Sequence, residues 1–208
     1  AVADAFLPNA VEAYRADRLD SEVETLFRTL AILVFPPAAV LFVTAPDLFA
    51  LAFGADWREA GEMVRWLAPM LAIQFQISPL SRIFIALERQ RLGLTLQGTL
   101  FCLRAGSLIC AHTLALSSIE AVQLFSASSI MGYIFYYVAL IKVSSSNFYR
   151  ILVQSSTPAA LGIILAGISY PILKADVSSA ITTPLSLMVP IVLAALYWKL
   201  TFRFHKTG

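Results

Sequence analysis

The chain has 208 residues, of which 59% are hydrophobic and 13% charged, with a formal net charge of +2. A soluble domain carries about 25% charged residues, so this balance, with a mean hydropathy of +0.77, excludes an ordinary soluble fold and points to a membrane protein. The net charge is too small to point to nucleic acid, and the position of the charges matters more than their sum.

Residues 1–7 lack an initiator methionine and read like the tail of an apolar element; no basic stretch followed by an apolar core marks a signal peptide. The expectation is a piece of a longer chain. Residues 9–28 mix both charge signs and predict a cytoplasmic surface helix. A membrane-spanning helix needs about 20 mostly apolar residues, and six runs meet that need, at about 29–53, 66–87, 92–116, 121–141, 151–173 and 177–198. Lipid offers the backbone no hydrogen-bond partner, so helices are the expected solution, and the alternation of barrel strands is missing from these runs. The links at 88–91 and 116–120 are short and predict antiparallel neighbours. The fold class expected is all-α and polytopic, one membrane domain over 1–208. Pro36, Pro37, Pro69 and Pro79 fall inside the spans and each removes a helical hydrogen bond. Cys102 and Cys110 lie on one span, about 12 Å apart in rise, too far to bridge each other; both read as small packing residues.

The basic residues sort by side. Arg15, Arg18, Arg28, Arg89, Arg91, Lys142, Arg150, Lys199, Arg203 and Lys206 fall on one side of the expected membrane, and Arg58, Arg65 and Lys174 on the other. The excess marks the cytoplasmic side and puts both ends of the chain there. Trp57, Trp66, Tyr197 and Trp198 flank spans, as interfacial anchors do.

Two arginines remain inside spans. An arginine at a helix centre costs about 2.5–3.5 kcal/mol on insertion scales. Arg82 lies roughly 9 Å in rise from Glu88 and can snorkel to the surface, or serve a cavity. Arg104 sits near the middle of its span, where the default reading is functional. No carboxylate falls at the centre of any span. Three resolutions stay open: a partner in another part of the protein, a wet cavity, or an anionic ligand, for which the guanidinium fork suits phosphate. At 100° per residue, Gln74, Ser78, Ser81 and Arg82 fall within an arc of about 100°, and Gly93, Gln97 and Arg104 share a face of the next span. These faces form the candidate substrate cavity. For the serines and glutamines alone, interhelical hydrogen bonding is an equal reading. No metal or cofactor motif and no enzyme constellation is visible; His112 and His205 stand alone.

The succession Phe53-Gly-Ala-Asp-Trp-Arg-Glu-Ala-Gly61, Arg65-Trp-Leu-Ala-Pro-Met70 and Ile77-Ser-Pro-Leu-Ser-Arg82 through Leu87-Glu-Arg-Gln90 resembles the carboxy-terminal half of bacterial polysaccharide flippases, the Wzx-like exporters of the MOP superfamily. The opening Phe6-Leu-Pro-Asn-Ala-Val-Glu-Ala-Tyr-Arg15 looks like the end of the first helix of that half. The resemblance is close from Phe6 to about Lys142 and loose beyond. It implies one six-helix lobe of a MOP/MATE-like transporter in the bacterial inner membrane, completed by an N-terminal lobe of the same chain. It further implies alternating-access export of undecaprenyl-pyrophosphate-linked oligosaccharide repeats for O-antigen, capsule or exopolysaccharide, alongside membrane lipids and polysaccharide polymerase machinery. Arg82 matches the arginine of the family's "SPLSR" pattern; Arg104 matches only as a basic residue on the following helix. Rival readings are a lipid II flippase or a multidrug exporter of the same superfamily. From other classes come a polysaccharide-pathway membrane enzyme and a non-transporting scaffold.

Overall fold

The computed structural model describes residues 18–144, with 158, 160–165 and 167. Apart from those last positions, the expected spans at 151–173 and 177–198 lie outside the described residues, as do 9–17. Among the described residues the regular structure is helical, with no strand: α1 (Leu19–Phe53), a 3-10 turn (Ala55–Trp57), α2 (Arg58–Leu80), α3 (Ile83–Ala86), α4 (Gln90–Thr113) and α5 (Ser118–Ser144). Helices α1, α4 and α5 are long and apolar enough to cross a membrane, which is consistent with a membrane protein. The chain divides into two compact units, 1–30 with 70–154 and 31–69 with 155–208, so the division falls within α1 and within α2.

Helix α1 has 35 residues, about 52 Å at 1.5 Å per residue, against a hydrocarbon layer of about 30 Å. The surplus bears on the surface helix expected at 9–28, of which only 18–28 are described: these are not separate from the first span. Residues 19–28 are the first turns of α1, because nothing between Arg28 and Thr29 breaks the helix. Val23, Phe27 and Leu30 bury one face at helical spacing, and Glu24 is buried with them.

In the second unit, α1 continues through Pro36, Pro37 and Pro46 and stops at Phe53, where Gly54 has φ +103°, a conformation open to glycine and strained for any other residue. The 3-10 turn follows, and α2 returns against α1. A Cβ at Gly61 would lie 2.6 Å from the Ala45 carbonyl oxygen and 2.6 Å from the Pro46 Cα, so only glycine permits this approach of the two backbones. Trp66 packs edge-on against Phe42 at 5.7 Å.

In the first unit, α2 ends at Leu80 and a turn at Ser81 and Arg82 leads into the single turn of α3. One helix over 66–87 was the expectation; the apolar run persists but the ladder does not. Pro79 has no N–H for the Phe75 carbonyl, and the Arg82 N–H bonds the Pro79 carbonyl at 3.2 Å, one residue short of the α pattern. The run closes at Glu88, φ 55°. The Arg89 N–H reaches the Phe84 carbonyl at 2.7 Å and the Glu88 N–H the Ile85 carbonyl at 3.1 Å, a Schellman closure.

Helix α4 ends the same way at Ala115, φ 50°, with the Leu116 N–H on the Ala111 carbonyl at 3.0 Å and the Ala115 N–H on the His112 carbonyl at 3.1 Å. Helix α5 then starts with a capping box. The Ser117 N–H and hydroxyl both donate to Glu120 Oε2, at 2.8 and 2.7 Å, and the Glu120 N–H donates to Ser117 Oγ at 3.4 Å. Within α4, Thr95 and Thr99 satisfy their hydroxyls on the carbonyls of Arg91 and Thr95, each at 2.9 Å. Leu96, Leu100, Ser107 and Ala111 of α4 are buried. Gly98, Cys102, Gly106 and Cys110 lie along an exposed stripe of the same helix. Both cysteines are therefore exposed free thiols and not packing residues: they sit one helical turn apart from glycines on the face that α5 does not cover.

Candidate cation cavity

Helices α4 and α5 form an antiparallel hairpin, and its register places Arg104 beside a row at helical spacing on α5: Phe125, Ser129, Tyr133 and Tyr136. The half-buried Arg104 donates from Nε to Ser129 Oγ at 3.0 Å. From Nη2 it donates to Tyr133 Oη at 3.0 Å and to Gln74 Oε1 of α2 at 3.2 Å. Its Cζ lies 5.5 Å from the ring centres of both Phe125 and Tyr133, within the range of cation–π attraction. Every one of these partners is neutral.

A cavity of about 210 Å³ opens here. Gln74, Ser78, Ser81, Gln97 and Arg104 line it, with Tyr133 and Tyr136 from α5. No carboxylate is among its lining residues. Arg82 is not on its walls either. It is exposed in the turn before α3, because α2 stops at Leu80 and the helical phase that would align Arg82 with Gln74 and Ser78 stops with it. Gly93 lies instead in a neighbouring cavity.

Hydrogen-bond accounting gives the cavity its sign. A guanidinium has donors and no acceptor, so Gln74 must turn its oxygen to Arg104 and keep its two N–H groups. Tyr133 accepts from Arg104 and keeps its own O–H. Arg104 spends Nε and Nη2 on α5 and Gln74, and no described residue accepts from Nη1. Ser129 is satisfied twice over, since its hydroxyl donates to the Phe125 carbonyl at 2.7 Å. Gln97 Oε1 receives the Tyr136 hydroxyl at 2.9 Å, which leaves the Gln97 amide N–H groups. The cavity wall thus carries one positive charge and the remaining donors of Gln74, Gln97 and Tyr133, beside the hydroxyl oxygens of Ser78, Ser81 and Tyr136 and the apolar Ile77 and Leu100.

The second glutamine of α2 has a different role. Gln76 is fully buried and bonded at both polar atoms: its Nε2 donates to the Phe27 carbonyl at 3.0 Å, and the Tyr137 hydroxyl donates to its Oε1. The Phe27 and Tyr137 rings also meet, tilted by 60° with centres 5.2 Å apart. This cluster ties α1, α2 and α5 together within the first unit.

The sequence reading missed Phe125, Ser129, Tyr133 and Tyr136. Their spacing of four, four and three was the available signal, but serine and tyrosine on an apolar helix are weak signals singly. They gain meaning only when α5 is laid against Arg104. No family model matches the chain, no curated protein matches it, and no solved structure matches it.

Proposed function

We propose that this chain is part of a membrane transporter that exports an anion-headed, lipid-linked oligosaccharide across the bacterial inner membrane by alternating access. The substrate class is an undecaprenyl-pyrophosphate-linked repeat unit, and Arg104 receives its phosphate. One observation carries the reading: a half-buried guanidinium held by neutral partners only, in a cavity whose lining residues include no carboxylate. An isolated charge within the membrane is costly and marks function by default. Hydrogen bonds between ionised partners are the strong ones, so phosphate replaces water there favourably.

The cavity of about 210 Å³ is the part of the pathway that reads the charge of the head group. A lipid II flippase shares that charge logic and is the second reading. A multidrug exporter of cations calls for acidic lining, and a scaffold has no use for an unneutralised arginine. The sequence resemblance favours the oligosaccharide over lipid II, and both ends of the chain are taken as cytoplasmic.

The test is Arg104→Ala in the complete protein, scored by appearance of the lipid-linked oligosaccharide on the outer leaflet, with membrane insertion followed separately. The expected result is loss of export with normal insertion. Wild-type export from this variant overturns the assignment.

A further inference from the structure

A second cavity of about 560 Å³ adjoins the first, and Ser81, Gln97 and Tyr136 line both. It carries its own cation, Arg91, with Gln90 beside it. Phe84 packs onto Gly93, where a Cβ would lie 3.4 Å from the Phe84 Cβ, so an apolar ring fills that side and the polar groups stand in a row. Gln90, Gln97 and Arg104 recur every seven residues, and seven residues at 100° each return to within about 20° of the same face. One face of α4 therefore runs from Gln90 in the larger cavity, through Gln97 in both, to Arg104 in the smaller. Arg91 is exposed, and its guanidinium makes no ion pair with a described residue. Between Ser81 and Gly93 the single carboxylate of Glu88 stands against Arg82, Arg89 and Arg91, and the first turn of α4 has no acidic residue. The field at this end of α4 is positive.

We propose that Arg91 is a capture residue: it draws the phosphate into the larger cavity, from which the polar face of α4 leads to Arg104. This rests on the anion reading of Arg104 given above. The separation decides what each arginine does. From Arg91 to Arg104 the helix rises about 20 Å, while the screening length at physiological salt is about 8 Å. The exposed Arg91 therefore adds little to holding an anion that has reached Arg104, and the two do not clasp one phosphate together. Arg91 acts on the approach, where a charge at the rim of a cleft raises the association rate and makes it depend on salt. Steering needs charge and not the planar fork, so lysine serves at this position, whereas a residue that grips phosphate bidentately does not tolerate the exchange.

The experiment uses the complete protein in maltoside micelles and butyl phosphate as the probe. Its phosphorus NMR line shape across a titration gives the dissociation rate and Kd, and from them the association rate. In Arg91→Gln at physiological salt the association rate is expected to fall roughly threefold, with the dissociation rate unchanged. The difference disappears near 1 M salt, where the screening length is about 3 Å, and Arg91→Lys behaves as the natural chain does. An unchanged association rate overturns the proposal. So does a faster dissociation, a fall that persists at high salt, or one that Arg91→Lys does not repair, since each marks direct binding or a structural role and not steering. The anion reading is scored in the same titration by Arg104→Gln. Binding that needs Arg104 but ignores Arg91 sinks the capture step alone; binding that survives Arg104→Gln sinks the anion reading beneath it.

Discussion

Two half-buried arginines, one in each unit, meet opposite company. In the second unit Arg65 donates from Nη1 to both carboxylate oxygens of Glu62, at 3.1 and 3.0 Å, and from Nη2 to the Val43 carbonyl at 3.2 Å. In the first unit Arg104 meets a serine, a glutamine, a tyrosine and two ring faces. The charge of Arg65 is cancelled within its own helix, one turn away. The charge of Arg104 is held in place but not cancelled by any described residue. The same side chain is a fastener in one setting and a receptor for an anion in the other, and the neighbours decide which.

The comparison breaks most sharply if one arginine is given the other's neighbour. Gln74→Glu places a carboxylate where Arg104 now finds an amide oxygen. Two unit charges about 4 Å apart attract by about 4 kcal/mol at an effective dielectric near 20. An incoming phosphate would have to displace that partner. Anion binding is expected to fall at least about a hundredfold, with Arg104 still present and the helices intact by circular dichroism. Butyl phosphate titration followed by phosphorus NMR measures it; unchanged binding would mean the charge of Arg104 is not what the ligand sees. Tyr133→Phe comes next. It removes an acceptor from Nη2 and a donor from the cavity, hydrogen bonds to charge worth about 1.5–3 kcal/mol before solvent compensation. The expected loss of binding in the same titration is about tenfold. No loss would make Tyr133 only a ring for Arg104 to lie against.

Much of this site was readable in the chain, and what was not has a physical cause. Arg104, Gln97, Gln74, Ser78 and Ser81 announce themselves because polar groups in apolar helices are conspicuous, and helical phase gathers them. Phase fails once the helix stops, which is why Arg82 was grouped with them. The stop at Leu80 was obscured because the apolar run continues to Leu87 and no left-handed residue marks the turn at Ser81 and Arg82; the left-handed position, Glu88, comes only after α3 and is not glycine. Ala115 takes the corresponding left-handed position after α4, close to where the sequence places the end of that span. The α5 row is a tertiary fact: the register of one helix against another is set by side-chain fit, as where Gly132 admits Leu100 so closely that a Cβ there would lie 2.6 Å from Leu100 Cδ1.

A smaller effect separates polar groups that bind from those that hold. Tyr137→Phe leaves the buried Gln76 oxygen without its donor. Interhelical hydrogen bonds in membrane proteins average about 0.6 kcal/mol and reach about 1.7, so a loss of about 1 kcal/mol in unfolding by denaturant is expected, with anion binding unchanged. A change in binding would mean that the Gln76 cluster shapes the cavity and that the two glutamines of α2 share one role.

The smallest expected effect falls on the fastened arginine. Glu62→Gln removes the charge opposite Arg65 but keeps an acceptor oxygen in place, and the Val43 carbonyl remains. Both side chains of the pair are partly exposed, 28% and 29%, so water screens them, and such pairs contribute about 0.2–1 kcal/mol. Stability should drop within that range, with butyl phosphate binding and export unaffected. The Arg65 Nε, buried without a hydrogen-bond partner, sharpens the test, since the guanidinium cannot turn to compensate without giving up Val43. Should the variant begin to bind butyl phosphate at Arg65, an arginine becomes a receptor when its carboxylate is removed, and the contrast with Arg104 is one of neighbours alone. Should it instead lose export while binding at Arg104 persists, Arg65 and Glu62 take part in the transport cycle, and the division between fastener and receptor fails.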